Sequence, residues 1–301
     1  MKYNFLYYKN IKIIRDLPLK NWTSFKIGGP AKYAVFPKNL EEVKKTLDFS
    51  KENNIQYFFI GSGANLLVSD KGFKGLIIFT QKLNRYKIND SIIETESGIS
   101  VNKLNNIALF HCLSGLEFSN GLPGTIGGAV FMNARAYGKE FSEIVKSVII
   151  LDKENNIIEL EKKDIFYDYK TTYFMENREN FIYKIKLELQ KRSFFTILKQ
   201  AKKNKQDRIK KGQFSYPSAG CIFKNNYNIG IPSGKIIEDL GLKGLQIGGA
   251  KVYEKHANFI INYNNAKADD VLKLIQIIEK KAYEKKGYKL EKEVQLLGFD
   301  T

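Results

Sequence analysis

The sequence predicts an α+β protein in three successive parts, 1–85, 86–193 and 194–301, divided where its residue pattern changes. Three observations carry this prediction. Short apolar or alternating runs of strand length are interleaved with stretches of helical spacing. A glycine-rich loop interrupts that pattern in each of the first two parts. The last part opens on a basic helical run and closes on a strand. With 301 residues, 43% of them hydrophobic and 13% aromatic, the chain can build two or three folded cores.

In the first part, "TSFKIGGPAKYAVFP" (23–37) reads as strand, Gly-Gly turn and strand, with Pro37 closing it. Asn39 is a helix-cap candidate before an acidic first turn, and Leu40, Val43 and Leu47 repeat at helical spacing over 39–54. "IQYFFI" (55–60) is a short buried strand, "GSGANLLVSDKG" the loop leaving it, and "GLIIFT" (75–80) another strand. The second part begins with the strand "SIIETESG" (91–98) and a helix near 101–111. "GLEFSNGLPGTIGGAVFMNARAYG" (115–138) is dense in small residues, a hairpin turns across Lys153–Asn156, and "FIYKIKLEL" (181–189) alternates as a half-buried strand. The last part reads as a basic helix near 194–210 and a short helix at 233–240. Strands near 246–253 and 257–262, a helix near 268–285 and the strand "EVQLLG" (293–298) complete it.

"GSGAN" follows a strand, where successive amides can converge on a diphosphate. It is not the dinucleotide fingerprint, because Leu66 stands at the third glycine position and the chain continues extended. A plain tight turn explains the same residues. In "GLPGTIGGAVFMNA", Pro123 fixes the chain direction and Gly124 and Thr125 free two amides, while Gly127 and Gly128 allow close backbone approach. Tight helix–sheet packing would also need small residues here. Two such loops together suit one extended ligand with a diphosphate, and flavin adenine dinucleotide has that shape.

The net charge of +17 admits nucleic acid as a partner. Lysine supplies nearly all of it, however, scattered along a chain with only six arginines, which reads as compositional bias over solvated faces. No run approaches the ~18 apolar residues of a membrane span. "MKYNFLYYKNIKIIRD" lacks the marks of a signal peptide. Cys112 and Cys221 give neither a disulfide framework nor metal spacing, as expected of a reducing compartment. Cys112, in apolar "ALFHCLSG", reads as a buried structural thiol, whereas Cys221 follows a flexible Ala-Gly.

The ordered set "TSFKIGGPA", "GSGANLLVSDKGFKG", "LPGTIGGAVFMNARAYG", "YPSAGCIFKN", "SGKIIEDLGLKGLQIGGAKVYEKHANFIIN" and "EVQLLG" resembles the UDP-N-acetylenolpyruvoylglucosamine reductase family over essentially the whole chain. The compact last part looks like its shorter subtype, without the inserted tyrosine loop. The resemblance implies a two-part FAD-binding module (1–85 and 86–193) of the vanillyl-alcohol-oxidase type. A C-terminal α+β substrate domain (194–301) follows. It further implies non-covalent FAD, NADPH as hydride donor, a UDP-sugar enolpyruvyl ether as substrate, no nucleic-acid or membrane partner, a monomer and a cytoplasmic location. An alcohol or sugar oxidase on the same fold and a basic nucleic-acid binder are the competing readings.

The resemblance also places residues. FAD would be held by Gly61, Ser62, Gly63, Ala64, Asn65 and Leu66 in the first loop. Gly121, Pro123, Gly124, Thr125, Gly127, Gly128, Ala129 and Asn133 would hold it from the second. The family's proton donor, usually serine, falls on Cys221, and its C-terminal glutamate on Glu293, with Glu291 the nearest decoy. Two departures stand out. Gln295 replaces an arginine, and the Tyr-Arg-x-Ser motif becomes Tyr169-Lys170-Thr171-Thr172, so Lys170 keeps a charge but loses the planar fork. Tyr169, Arg208, Lys211, Asn225 and His256 fall on or near substrate positions.

Overall fold

Residues 3–226 and 230–299 are described in the computed structural model of the chain. They group into two units, one of residues 3–15, 33–62 and 75–207, the other of residues 16–32, 63–74, 208–226 and 230–299. The first unit carries two five-stranded sheets. In one the order is Phe5–Tyr8, Ile11–Pro18, Pro30–Val35, Phe73–Phe79, Tyr57–Ile60. The last two strands run parallel, and the helix Leu40–Glu52 lies between the strands Pro30–Val35 and Tyr57–Ile60 in sequence. Asn39 caps that helix by accepting from Glu42 N at 2.9 Å, and Val43 and Leu47 join the core with Ile13, Leu76 and Ile78.

The second sheet is wholly antiparallel, ordered Ile157–Glu161, Val145–Leu151, Phe181–Glu188, Ile92–Glu96, Tyr86–Asn89. The helices Val101–Phe110 and Ile126–Phe131 bury Leu104, Ala108, Ile126 and Val130 in one core with Val148, Ile185 and Leu187. Side-chain oxygens start both helices: Ser100 accepts from Lys103 N, and Thr125 from Gly128 N.

In the other unit the helix Ala268–Lys286 presents Val271, Leu274, Ile275 and Ile278 to a core shared with Val252 and Ile260. The sheet there is ordered Ser218–Cys221, Phe259–Asn262, Ala250–Val252, Gln246–Ile247. Asp70, from "SDKG", accepts from the first amides of that helix, Ala268 N at 2.9 Å and Asp269 N at 3.4 Å, where a negative charge is favoured. Gly287, with φ of 67°, ends it.

Several expectations need correction. Residues 23–29 are not a strand. Lys26 adopts φ of 57° and donates its amide to Thr23 O, so a turn buries Phe25 and Ile27 without a ladder. The loop after residue 65 contains a strand, Leu66–Val68, paired in parallel with Gln295–Leu297. The expected strand 246–253 is a hairpin folded at Gly248-Gly249. Cys112 is exposed rather than buried, because the helix ends at Phe110 and Cys112 follows in a left-handed turn with φ of 55°.

Candidate active site

Gly61 and Ser62 leave the strand Tyr57–Ile60 beside Thr125, and a Cβ on Gly61 would overlap Thr125 Oγ1. The amides of Gly61, Ser62, Gly124 and Thr125 donate to no backbone carbonyl among the described residues. The hydroxyls of Ser62 and Ser97 are buried without a hydrogen-bond partner there. Unpaired buried donors ask for an acceptor that the protein does not supply. A diphosphate answers that need, so this chemistry fits the flavin dinucleotide.

Other residues of the two loops have protein partners. Gly127 donates its amide to Ser97 O at 2.8 Å, and a Cβ there would sit 2.6 Å from Ser97 Cβ. Gly121 N donates to Asn102 Oδ1 at 2.8 Å. Ala129 is buried against the helix core, whereas Pro123 and Gly128 are exposed. Asn133, 2% exposed, donates to Glu140 Oε1 at 3.1 Å and accepts from Ser142 N at 2.9 Å, which fixes the bend after the helix.

The remaining residues of the first loop belong to the other unit. Gly63, with φ of 64°, gives its carbonyl to Ser24 N, and Ala64 follows half-buried. Asn65 Nδ2 donates to Glu293 O at 3.0 Å, and Asn65 O accepts from Gln295 N at 3.0 Å. Leu66 then enters the strand beside Gln295. The end of this loop therefore clasps the segment that carries Glu293.

Cys221 ends a strand whose pairing with Phe259–Asn262 is interrupted by a bulge between Ser218 and Cys221. Gly220 takes φ of 77° there, with nothing within 4 Å of an added Cβ. Such bulges re-aim the following side chain. Cys221 is half-buried and packs against Tyr253, Phe259 and Ile261. The next residue, Ile222, accepts from Glu293 N at 2.7 Å, which brings the backbones of the thiol and carboxyl residues together. Asn258 locks this join by accepting from Phe223 N at 3.0 Å and donating to Phe223 O at 2.8 Å. Glu291 instead forms a salt bridge with Lys224 from an exposed position, as a surface carboxylate does.

Arg208 is 5% exposed and donates to Gln213 Oε1 at 3.1 Å, while Lys211 is exposed nearby in sequence. Asn225 accepts from Ser233 N at 3.0 Å at the start of the helix Ser233–Asp239. His256 lies against Phe259, its Nδ1 buried and unpartnered among the described residues. Burial first, then repulsion from Lys211 and Lys243, lowers its pKa below the ordinary imidazole value. Tyr169 and Lys170 occupy the turn between strands Phe166–Asp168 and Thr171–Thr172 in the first unit. Lys170 is 8% exposed, and its Nζ lies 5.9 Å from the Tyr169 ring centre.

Two features escaped sequence reasoning. Tyr216 packs its ring 5.8 Å from Tyr253 and 5.6 Å from Tyr263, an aromatic group beside the thiol strand. The overlap of a Cβ at Gly212 with the Tyr253 hydroxyl explains the glycine there. Tyr216, two residues before that strand, was the available signal. The other feature is Arg135, whose guanidinium carbon lies 5.7 Å from the Tyr169 ring centre.

A family model described as the C-terminal domain of UDP-N-acetylenolpyruvoylglucosamine reductase matches residues 212–297, and one described as an FAD binding domain matches residues 31–161. The chain is 44% identical over 297 residues to UDP-N-acetylenolpyruvoylglucosamine reductase of Borreliella burgdorferi, covering 98% of each. It is 42% identical over 303 residues to that of Caldicellulosiruptor bescii, covering 98% of this chain and 95% of that one. Among solved structures it resembles UDP-N-acetylenolpyruvylglucosamine reductase from Thermus caldophilus, with a TM-score of 0.80 and 29% identity. That match covers 95% of this chain and 98% of the other.

Proposed function

The chain belongs to the UDP-N-acetylenolpyruvoylglucosamine reductase family, and from that premise we propose how its own residues carry the reaction. It is an FAD-dependent oxidoreductase that reduces the enolpyruvyl ether of UDP-N-acetylglucosamine to UDP-N-acetylmuramate in peptidoglycan synthesis, with NADPH as hydride source. The chemistry that bound FAD supplies is hydride carriage from NADPH to the enolpyruvyl double bond.

The observation that carries the residue assignment is the join of Ile222 to Glu293, which sets the Cys221 strand beside the C-terminal carboxyl. Cys221 gives its S–H proton to the substrate carbon that becomes carbanionic after hydride addition. Its position after a bulged, open Gly220 supports that role. Glu293 orients the reacting carboxylate, and Lys170 stabilises its growing charge from the Tyr169–Lys170 turn. Gly61, Ser62, Gly124 and Thr125 are the donors for the cofactor's diphosphate. Tyr169, Arg208, Lys211, Asn225 and a neutral His256 bind the sugar nucleotide.

FAD is held without a covalent link, a reading supported by the positions of His111 and His256 outside both glycine loops. In this reading residues 1–85 and 86–193 are the flavin-binding parts and 194–301 the substrate-binding part. The enzyme works as a cytoplasmic monomer without nucleic acid. Among the described residues no helix is long and apolar enough to cross a membrane.

The test is NADPH oxidation by the FAD-saturated chain. Turnover that depends on the enolpyruvyl sugar nucleotide is expected. Its absence, with oxidation of alcohols or sugars instead, would favour the oxidase reading.

A further inference from the structure

The helix Phe194–Lys210 buries Ile197, Ala201 and Asn204, and Asn204 Nδ2 donates to Glu117 O at 2.8 Å. Asn120 Nδ2 donates back to Ala201 O at 2.9 Å, so this side of the helix is pinned to the segment that follows Val101–Phe110. The opposite side is thereby held toward water. It carries Phe195, Lys199, Lys202, Lys203 and Gln206, all exposed and at the three- and four-residue spacing of one helical stripe. Phe195 is 79% exposed and Phe110 75%. Phe194 joins them, its ring centre 5.7 Å from that of Phe195 and 6.3 Å from that of Phe110. Apolar residues scattered singly over a surface need no explanation, but three adjoining rings do.

The charge around these rings has one sign. Residues 101–112 and 191–206 hold seven lysines and arginines and no aspartate or glutamate. Among the described residues only Lys191 of the seven is in an ion pair, with Asp90. Elsewhere many lysines meet carboxylates, as Lys186 meets Glu159 and Lys292 meets Glu279.

A stripe of ammonium groups beside aromatic rings answers two features of an anionic bilayer. Each cation is drawn to the charged surface, an effect of about fivefold in partition. Exposed rings are favoured at the boundary between headgroups and acyl chains, and lysine stems can lie along that boundary while their heads reach phosphate. Unpaired nucleic acid would offer the same phosphates, but its bases stack on parallel ring faces. The Phe194 and Phe195 planes instead stand at 89° to each other.

We propose that this stripe and its rings form a peripheral docking surface for a lipid bilayer with anionic headgroups. Phe110 and Phe195 enter the acyl boundary, and Lys199, Lys202 and Lys203 meet the lipid phosphates. The surface departs from the expectation of no membrane partner, and it requires no spanning helix. None of its residues is assigned to the reaction.

The test pellets the FAD-loaded chain with vesicles of phosphatidylglycerol and phosphatidylcholine in equal parts, and with phosphatidylcholine alone. Binding to the first and not to the second is expected. Lys199→Gln with Lys202→Gln should weaken it about tenfold or more, two cations at about fivefold each. The same loss of charge at Lys285 and Lys286, exposed at the end of the helix Ala268–Lys286, should leave it nearly unchanged. Phe110→Ser with Phe195→Ser should weaken it about tenfold or more, the effect of withdrawing two rings from an apolar layer. Turnover of NADPH with the enolpyruvyl sugar nucleotide should stay at the wild-type rate in that variant. No binding to the anionic vesicles, equal loss from the Lys285 and Lys286 pair, or indifference to the two phenylalanines would each overturn the proposal. Capture of polyuridylate by the same residues, at a salt concentration where vesicles stay unbound, would assign the surface to nucleic acid and overturn it as well.

Discussion

At Gly220 the backbone is left-handed and open to solvent, and the thiol of Cys221 follows it directly. If that thiol is the proton donor, Cys221→Ala leaves flavin reduction by NADPH in place. It slows reoxidation by the enolpyruvyl substrate about a hundredfold or more, and Cys221→Ser restores part of the rate. Rapid-mixing absorbance separates the two halves, and an unchanged reoxidation would remove Cys221 from the mechanism. His256 gives a second prediction at this scale. Its folded pKa is lowered, so the unfolded chain binds the extra proton first as pH falls below about 6.5. Its contribution to stability is complete above that pH and is lost as pH drops toward the folded pKa. An NMR titration should place the imidazole below its ordinary value, and His256→Gln should flatten the acid side of the stability profile. The sequence made Cys221 legible through its Ala-Gly neighbours. It left Arg135 unmarked, because a ring contact between residues 34 positions apart has no local signature.

Elements set by neighbouring residues were legible, as the helix Leu40–Glu52 shows: Asn39, Val43 and Leu47 fix its start and its buried face without distant help. The strand Leu66–Val68 was not, since among the described residues it pairs with Gln295–Leu297, more than two hundred residues away. That remote pairing also gives Asn65 a structural task at Glu293 that no loop motif announces. Two substitutions test the elements. Gly61→Ala forces a methyl group into Thr125 Oγ1, so the purified chain should lose bound flavin absorbance while its far-ultraviolet dichroism stays unchanged. Asn258→Ala strips both backbone partners of Phe223 at the join to Glu293. It should lower unfolding stability by about 1–3 kcal/mol in urea titration, the cost of buried groups left unpaired. A loss within the error of that titration would mean that water replaces the amide.

For the whole molecule, the net charge of +17 suggested nucleic acid, yet many lysines lie in surface salt bridges such as Lys9–Glu52, Lys186–Glu159 and Lys292–Glu279. Such pairs contribute little stability and keep the surface hydrated. Binding to DNA or RNA should therefore lack the steep salt dependence of a phosphate-neutralising surface, and a filter-binding series across salt concentrations checks this. The flavin module was legible through the resemblance that its ordered glycine-loop motifs carry, whereas spacing alone showed only interleaved strands and helices. The grouping of residues 16–32 and 63–74 with the C-terminal third depends on long-range packing that no local run encodes. The most direct test of the central claim is the visible absorbance of the bound flavin after two successive mixings. The account predicts bleaching on NADPH and recovery on the enolpyruvyl sugar nucleotide under anaerobic conditions. A flavin that stays bleached after the second mixing would contradict it.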